Sequence, residues 1–371
     1  MRKMDNIKIL KSAIKSSQGD LKETIKAIKN NDIKILSKEV YTLDEKVTVP
    51  YFLIDKEQSI YKMLRKLVCE VIEDLTVEEK KKTAVIFGSS QIDSNTIKEI
   101  EKDSTKEIEA SIPKKTSIDY YAKKLSNELL LNDFTMTIST ACTSSANGLL
   151  EAKNLIDSSV FEYVVVIGME FFSDMMSNGF SSMKLLSLDK QRPFDENRDG
   201  LVLGEAISAV LLGKGSSLWS LNGGYSNCNS ITITSVGEDG EEFTEVMQNA
   251  LNDSNIKAKD ITAIKAHATS SLSNDLSEIN AISKIFENDI VFTAIKPYIG
   301  HTLGACGVLE LAILMDAIDN DFIPKTINYS KPTLEEYQPI SQSKKCSNGT
   351  FMLNYFGFGG NNTSLIITKE L

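Results

Sequence analysis

The sequence predicts an α/β protein, because short apolar runs typical of buried strands alternate with longer stretches whose apolar residues recur at helical spacing. The runs at 84–88 and 162–168 have the length of a buried strand. Residues 57–76 and 302–318 have the longer patterns of helices. Since strands that alternate with helices form mostly parallel sheets covered on both faces, we expect that arrangement here.

The first half of the chain follows this alternation. Residues 5–30 predict a short strand and then a helix rich in Lys and Glu. A strand predicted at 134–140 leads into a helix predicted at 141–156, which begins with small and hydroxyl-bearing residues. Residues 95–130 are polar and are expected to be helical, and residues 201–213 form a further apolar segment.

The stretch 214–240, rich in Gly, Ser and Asn, is the best internal boundary. We therefore divide the chain into residues 1–214 and 215–371. The elements expected beyond the boundary are helices at 241–254, 275–286 and 302–318, strands at 260–267 and 289–296, and two closing strands joined by a Gly-rich turn.

Composition argues against several classes of protein. The formal net charge is −10 over 371 residues, which argues against general nucleic-acid binding because phosphates require a basic surface. No apolar run is long enough to span a membrane, and the N-terminus lacks the apolar segment of a secretory signal. Five widely spaced cysteines without a CxxC pair indicate free thiols in a reducing compartment, so we expect a cytoplasmic protein.

Three residues with reactive side chains lie at predicted strand-to-helix turns. Cys142 begins a helix, a position at which backbone N–H groups favour a thiolate and lower the pKa of the thiol. His267 and His301 are the only two histidines and follow strands at two other turns. Because active sites of α/β proteins gather at the carboxyl ends of strands, these residues indicate one site. On this local pattern alone, Cys142 can equally be a buried structural cysteine.

A zinc site is the other chemical interpretation of Cys142, His267 and His301, since a sulfur and two nitrogens suit that metal. The sequence has no close pair of ligands of the kind typical of zinc sites, which makes this interpretation much weaker. The turn at 356–362 is rich in Gly, which permits close approach of the backbone. It is not a phosphate loop, because no Lys followed by Ser or Thr comes after it.

Five motifs in order resemble those of the elongating β-ketoacyl-acyl-carrier-protein synthases of the thiolase-like superfamily. They are Thr140 to Ser145 around Cys142, Arg192 to Glu205, His267 to Ser271 with Asp275 and Glu278, Lys296 to Ala305 around His301, and Asn354 to Asn362. The motifs occupy residues 134–371, whereas the match before residue 80 is poor. The chain therefore resembles a divergent member of this family.

The resemblance implies a fold and an activity. The expected fold has two similar halves in a five-layered α-β-α-β-α arrangement, and the expected assembly is a dimer. Cys142 would accept an acyl group from a carrier-protein thioester, with the backbone N–H groups of Cys142 and Phe358 as the oxyanion hole. A malonyl-carrier thioester would then lose CO2 and attack the acyl-cysteine. Phosphopantetheine would arrive on the acyl carrier protein, and no cofactor or metal is expected on the chain itself.

The resemblance also implies supporting roles. His267 and His301 would donate hydrogen bonds to the thioester oxygen during decarboxylation, and Lys296 would tune the charge states of the site. Asp275 and Glu278 would support the site from behind, and Thr269 and Ser271 would hydrogen-bond the phosphopantetheine arm. A docking face for the carrier protein would be formed by Lys56, Lys62, Arg65 and Lys66. The last four can equally belong to an ordinary solvated helix face.

Several positions depart from the family pattern. Ala268 stands where Gly is usual, Pro297 where Ser is usual, and Asn361-Asn362 where Thr-Asn is usual. The gating segment from Asn227 to Thr232 lacks its usual Asp and His. These departures put substrate choice, gating and rate in question more than reaction type, and they slightly favour a specialised polyketide or polyene pathway over fatty acid elongation.

The main alternative from another class is a catalytically silent subunit of the chain-length-factor type, which forms a heterodimer with an active synthase. Such subunits usually lack the nucleophile, whereas Cys142 and both histidines are present here. Thiolases carry a second catalytic Cys, and initiating synthases carry a His-Asn pair. The turn from Lys296 to His301 fits neither of these.

Overall fold

A continuous series of ten paired strands organises the molecule. The computed structural model describes residues 7–42, 44–55, 58–91, 119–228 and 237–371. Its strands are β1 (Ile7–Lys15), β2 (Leu36–Tyr41), β3 (Lys46–Tyr51), β4 (Thr83–Gly88), β5 (Thr135–Ile138), β6 (Tyr163–Glu170), β7 (Ala206–Gly213), β8 (Trp219–Cys228), β9 (Ala263–Lys265), β10 (Phe292–Thr293), β11 (Phe322–Ile323), β12 (Lys344–Lys345), β13 (Gly349–Phe356) and β14 (Asn361–Lys369). The paired order is β5-β4-β6-β7-β1-β8-β14-β13-β9-β10.

Helices fill the connections between these strands. They are α1 (Leu21–Asn30), α2 (Ile60–Val71), α3 (Val77–Lys81), α4 (Tyr120–Leu129), α5 (Ser144–Asp157), α6 (Asp174–Ser182), α7 (Glu241–Ser254), α8 (Leu272–Ile285), α9 (Lys296–Ile299) and α10 (Cys306–Asp319). Among the described residues, no helix combines the length and the apolarity needed to cross a membrane.

The strands and helices form five layers. β1 and β8 share only two paired positions, Ile7 with Leu221 and Lys8 with Ser220, so the ten strands form two five-stranded groups. Helices α5 and α10 lie between the groups, α2 and α4 cover the outer face of the first, and α7 and α8 cover the outer face of the second. The predicted α-β-α-β-α fold class is therefore confirmed, while the division at 214/215 stays a prediction.

The burial of each helix matches its layer. Helix α10 is covered from both sides, and the residues from Cys306 to Met315 are all buried. An outer helix such as α2 buries only one stripe of side chains, Leu64, Leu67, Val68 and Val71. The middle layer therefore places residues of α10 deep inside the molecule, away from water.

The sheet is mixed, so the expectation of mostly parallel strands was wrong. β4 pairs in parallel with β5 and β6, and β9 pairs in parallel with β10 and β13, but the other pairs in the ten-strand series are antiparallel. An antiparallel strand covered on both faces is as continuously apolar as a parallel one, so the sequence pattern does not separate the two.

Two predicted segments also differ from the structure. The Gly-, Ser- and Asn-rich stretch 214–240 contains the long strand β8, which was not predicted and which begins the second group of strands. The strand expected at 289–296 is reduced to β10, because α9 begins at Lys296. Within 95–130, α4 agrees with the expected helix, and residues 92–118 lie outside the described residues.

The close crossing of α5 and α10 yields a prediction about stability. A Cβ added at Gly307 would lie 2.1 Å from the backbone nitrogen of Ala146, whereas one added at Gly179 of α6 would meet open space. We expect Gly307→Ala to lower the free energy of unfolding by about 1–3 kcal/mol. Gly179→Ala should raise it by about 0.5–1 kcal/mol, because Ala favours helix. Urea unfolding followed by circular dichroism measures both, and equal effects of the two substitutions would contradict the packing argument.

Candidate active site

Three turns bring Cys142, His267 and His301 together in the interior. Cys142 Sγ lies 3.1 Å from His301 Nε2. The two imidazole rings are nearly perpendicular, with centroids 5.4 Å apart. All three residues are buried, and with Phe358 they line one cavity of about 180 Å³. The grouping places a thiol and two imidazoles around a space that a substrate can enter.

Small residues let the turn at Cys142 fit between the layers. β5 is followed by Ala141 with φ of +51°, by a single 3-10 turn (Ala141–Thr143), and then by α5. A Cβ at Gly88 would lie 2.5 Å from Ser145 Cα, so β4 approaches the start of α5 closely. The hydroxyl of Thr143 donates to the carbonyl of Thr140 at 2.7 Å and holds the turn.

The Cys142 thiol is neutral at rest. Burial raises its pKa to about 11, although the charge of Lys296 and the backbone N–H groups of Phe358 and Cys142 act in the opposite direction. The backbone N–H groups lower the pKa as the sequence analysis expected, but the net pKa is raised, because desolvation of the thiolate outweighs these favourable contacts. Those two N–H groups lie close enough to the sulfur to favour the thiolate, so both border the space beside Cys142.

Two buried carboxylates hold the turn that carries His267. Glu278 accepts hydrogen bonds from the backbone N–H groups of His267 and Ala268 at 2.7 and 2.8 Å. Asp275 accepts from the N–H of Ser270 at 2.9 Å and from that of Phe194 at 2.8 Å. Burial raises the pKa of Glu278 to about 7 and that of Asp275 to about 6. Both acids therefore act on the backbone, behind the imidazole.

Ala268 adopts a left-handed backbone with φ of +53°, a conformation that favours glycine. This explains why the family usually has Gly at the position. In an alanine the conformation costs on the order of 1 kcal/mol. The hydrogen bond from the Ala268 N–H to Glu278 helps to hold it.

Lys296 fixes the proton position on His267. Its Nζ lies 2.7 Å from Glu310 Oε1 and 3.4 Å from His267 Nδ1. An ammonium group can only donate, so Nδ1 accepts and the imidazole hydrogen lies on Nε2. His267 Nε2 has no hydrogen-bond partner among the described residues, and His267 lines the cavity. His267 is thus positioned to donate into the cavity.

Burial and nearby positive charges keep both histidines uncharged. Burial, followed by the charge of Lys296, places the pKa of His267 and of His301 well below the usual value of 6.5. Burial also lowers the pKa of Lys296, but its ion pair with Glu310 outweighs that effect and the net pKa is raised. The site therefore combines a permanent ammonium with two neutral imidazoles.

Pro297 is accommodated by the local structure. It lies in the first turn of the short helix α9, where a missing N–H removes no helical hydrogen bond. The helix ends at Gly300, whose φ of +75° and contacts with Phe52 and Leu203 exclude a side chain. The departure at Pro297 therefore leaves the path from Lys296 to His301 intact.

The Gly-rich turn covers one side of the cavity. Phe358 contacts the ring of Phe180 of α6, with centroids 5.6 Å apart, and Gly359 and Gly360 both have positive φ. Asn362 Nδ2 donates to Asn227 Oδ1 at 3.2 Å, which joins this turn to the predicted gating segment. Residues 229–232 of that segment lie outside the described residues.

The predicted binding residues lie in two places. Thr269 and Ser271 line the cavity, and their hydroxyl oxygens are 3.2 Å apart. Lys62, Arg65 and Lys66 are exposed on α2, and Arg65 Nε lies 3.5 Å from Glu128 Oε2. The remaining docking candidate, Lys56, lies outside the described residues.

Two charged residues of the site were missed by the sequence analysis. Lys265 ends β9, and Glu310 lies in the middle of α10; both side chains are fully buried. Each interrupts an apolar segment, and that interruption was the available signal. The weaker zinc interpretation gains no support, since the described part of the chain contains no group of three or more His, Cys, Asp or Glu placed to hold a metal ion.

Family models and curated proteins match a large part of this chain. Residues 57–217 match the model of the beta-ketoacyl synthase N-terminal domain, and residues 220–330 match that of the C-terminal domain. The 3-oxoacyl-[acyl-carrier-protein] synthase 2 of Synechocystis sp. is 32% identical over 251 residues, covering 62% of this chain and 60% of the relative. The enzyme of that name from Vibrio harveyi is 29% identical over 277 residues, covering 68% and 66%. The match spans 55% to 60% of the length of the first three curated relatives.

Solved structures share the fold. A chain of the complex between the ketosynthase ApeO and its chain length factor ApeC from Xenorhabdus doucetiae superimposes with a TM-score of 0.86 at 22% identity, covering 100% of this chain and 99% of that one. A chain of AntDE:AntF, a type II polyketide synthase acyl-carrier protein in complex with its ketosynthase, has a TM-score of 0.87 at 18% identity, with 99% of both chains covered. Together with the two domain matches, which cover more than half of the sequence, this shows that the chain belongs to the beta-ketoacyl synthase family of the thiolase-like superfamily.

Proposed function

We propose that the chain is a β-ketoacyl-acyl-carrier-protein synthase, an acyltransferase that loads an acyl group on Cys142 and condenses it with a malonyl-carrier thioester. The observation that carries the proposal is the contact of 3.1 Å between Cys142 Sγ and His301 Nε2, with the His267 ring beside them. A buried thiol next to a neutral imidazole is typical of an activated nucleophile.

Acyl transfer begins with a proton shift. His301 Nε2 takes the proton of the Cys142 thiol as the sulfur attacks the thioester carbonyl. The oxyanion accepts hydrogen bonds from the backbone N–H groups of Cys142 and Phe358. The C–S bond to the carrier then breaks, and the departing thiolate takes the proton from His301. The products are acyl-Cys142 and the free carrier thiol.

Condensation follows with the malonyl thioester. The bond between its carboxylate and the α-carbon breaks, CO2 leaves, and the electron pair moves onto the thioester oxygen. His267 Nε2 donates to this enolate oxygen, and His301 Nε2 becomes the second donor once the imidazole has exchanged its hydrogen from Nδ1, where it lies while Nε2 acts as the base, to Nε2. The enolate carbon then attacks the acyl-cysteine carbonyl, collapse of the intermediate releases the Cys142 thiolate, and this thiolate takes up one proton from solvent.

The proposed partner is an acyl carrier protein. Its phosphopantetheine arm would pass Thr269 and Ser271, which line the cavity. The exposed Lys62, Arg65 and Lys66 on α2 offer a basic face for an acidic carrier, with Lys56 as a further candidate. We propose a homodimer or a heterodimer with a related ketosynthase-like subunit, located in the cytoplasm, acting in fatty acid or specialised polyketide synthesis.

The first test follows the acyl group. Incubation with acyl-carrier thioesters, followed by peptide mass spectrometry, should place the added mass on Cys142, and addition of malonyl-carrier protein should yield CO2 and a β-ketoacyl product. Cys142→Ala should lose acylation and condensation but still release CO2 from the malonyl thioester, because both imidazole donors remain.

The control for this test is Cys346→Ala, which alters a half-buried thiol outside the cavity and should behave as wild type. Condensation by Cys142→Ala would contradict the assignment of the nucleophile. Wild-type protein that accepts no acyl chain of any length would instead favour the silent-subunit alternative.

The second test concerns the tautomer of His267. In Lys296→Met, His267 Nδ1 loses its hydrogen-bond donor, so the imidazole hydrogen is no longer restricted to His267 Nε2. CO2 release should fall by roughly 10²–10³, the effect of removing one oxyanion donor. Glu310 keeps Lys265 as a partner, so the fold is expected to persist.

The matched control is Lys284→Met, which removes an exposed ion pair with Glu241 on the surface and should leave the rate unchanged. A folded Lys296→Met protein that releases CO2 within about threefold of the wild-type rate would contradict this role of Lys296, because a lost oxyanion donor costs far more.

A further inference from the structure

Two buried lysines share one carboxylate behind the active site. Lys265 Nζ lies 2.5 Å from Glu310 Oε2, and Lys296 Nζ lies 2.7 Å from Glu310 Oε1. None of the three side chains is exposed to solvent. Lys265 also donates to the carbonyl of Asn354 at 2.6 Å and lies over the ring of Tyr355. Both polar and aromatic contacts therefore hold it in one position.

The cluster has more positive charge than its carboxylate can neutralise. With both lysines protonated, it carries a net charge of +1 in a region without solvent. Burial and the neighbouring ammonium of Lys296 both disfavour the charged form of Lys265, while Glu310 favours it. Burial has the largest effect and lowers the pKa of Lys265 to about 8, whereas the pKa of Lys296 is raised. Of the two lysines, Lys265 is the one that loses its proton near neutral pH.

The charge on Lys265 acts on the groups of the active site. Its positive charge lowers the pKa of both His267 and His301. The titratable groups around it, from every element packed against it, are Glu310 and Cys306 of α10, Lys296 of α9, Glu278 of α8, Tyr355 of β13 and His267 beyond β9. Lys296 favours the Cys142 thiolate, and Lys265 shares the Glu310 carboxylate with Lys296, so the charge of Lys265 adds to the same positive region behind the nucleophile.

We propose that Lys265 is a positioning residue that shares the Glu310 carboxylate with Lys296 and adds a pH-dependent positive charge behind Cys142, His267 and His301. The proposal deepens the proposed function, on which it rests for the role of Cys142 as the nucleophile. Lys265 touches no reacting atom and acts only through the charge of the cluster.

The sign of the effect follows from the charge. Below pH 8, Lys265 is protonated, the cluster carries a net charge of +1, and the Cys142 thiolate is favoured. Above pH 8, Lys265 is neutral, the cluster has no net charge, and this contribution disappears. A protein without Lys265 lacks the contribution at every pH. The thiolate of Cys142 should therefore be more favoured in the wild type than in the protein without Lys265 at low pH, and this difference should vanish as the pH rises through about 8.

Alkylation by iodoacetamide tests this without any carrier protein. The rate at Cys142 is followed by peptide mass spectrometry from pH 6 to pH 10 in the full-length wild type and in Lys265→Met. We expect wild type to react roughly threefold faster below pH 7, which corresponds to a pKa difference of about half a unit, and equally fast above pH 9. A ratio of the two rates that stays constant across the pH range, including a ratio of one, would overturn the proposal. A purely structural role would change the alkylation rate by the same factor at every pH.

Two controls accompany the comparison. Cys69 on α2, in the outer layer, reports any general change of reactivity within the same digest. Lys369→Met removes another largely buried lysine, paired with Asp319 at 2.7 Å at the far end of β14, and should follow the wild-type profile.

If Lys265→Met does not fold, the pH dependence of the alkylation rate in the wild type is enough to test the proposal. The logarithm of its rate should rise by less than one unit per pH unit between pH 7 and pH 9, because the pKa of Cys142 increases as Lys265 loses its proton. A constant slope of one would overturn the proposal. Failure of carrier-dependent acylation would refute the proposed function and leave this measurement unaffected.

Discussion

The Glu310 carboxylate is the contact on which the active site depends. An unpaired carboxylate in the middle layer would cost several kcal/mol, and the ammonium groups of Lys265 and Lys296 offset part of that cost by direct contact. Through Lys296 the same carboxylate decides which nitrogen of His267 carries the proton. Its position is fixed by α10, which approaches α5 so closely at Gly307 that no side chain fits there. The packing of α10 against α5 therefore also fixes the position of the charged groups behind the active site.

The nucleophile of this site is neutral at rest, and charge forms on it only during the reaction. Burial raises the pKa of Cys142 and lowers that of both histidines, so the thiol and the imidazoles are all neutral before substrate enters. A neutral pair at 3.1 Å can pass a proton as the carbonyl is attacked. Neutral donors in a buried site stabilise an enolate strongly, because little solvent competes for the same hydrogen bonds.

Sequence patterns predicted the residues that face the cavity better than those behind it. Cys142, His267 and His301 follow strands at turns rich in small residues, and the topology of an α/β sheet places such turns at one edge. Lys265 and Glu310 were missed because a charge within an apolar segment does not reveal its partner. The mixed strand directions and the central place of β8 also depend on long-range pairing, which local patterns do not encode. The pKa of Cys142 was misjudged because burial, unlike a helix terminus, depends on the whole fold.

The most direct test of this account is the protonation state of His267. The chain has only two histidines, so nitrogen NMR of an untagged, 15N-histidine-labelled protein shows two imidazoles, which a His267→Asn variant assigns. The account predicts a neutral His267 ring with its hydrogen on Nε2 from pH 6 to pH 9, since Lys296 occupies the Nδ1 side. A His267 ring that is an imidazolium at pH 7, or that carries its hydrogen on Nδ1, would contradict the central role of the Glu310–Lys296 contact.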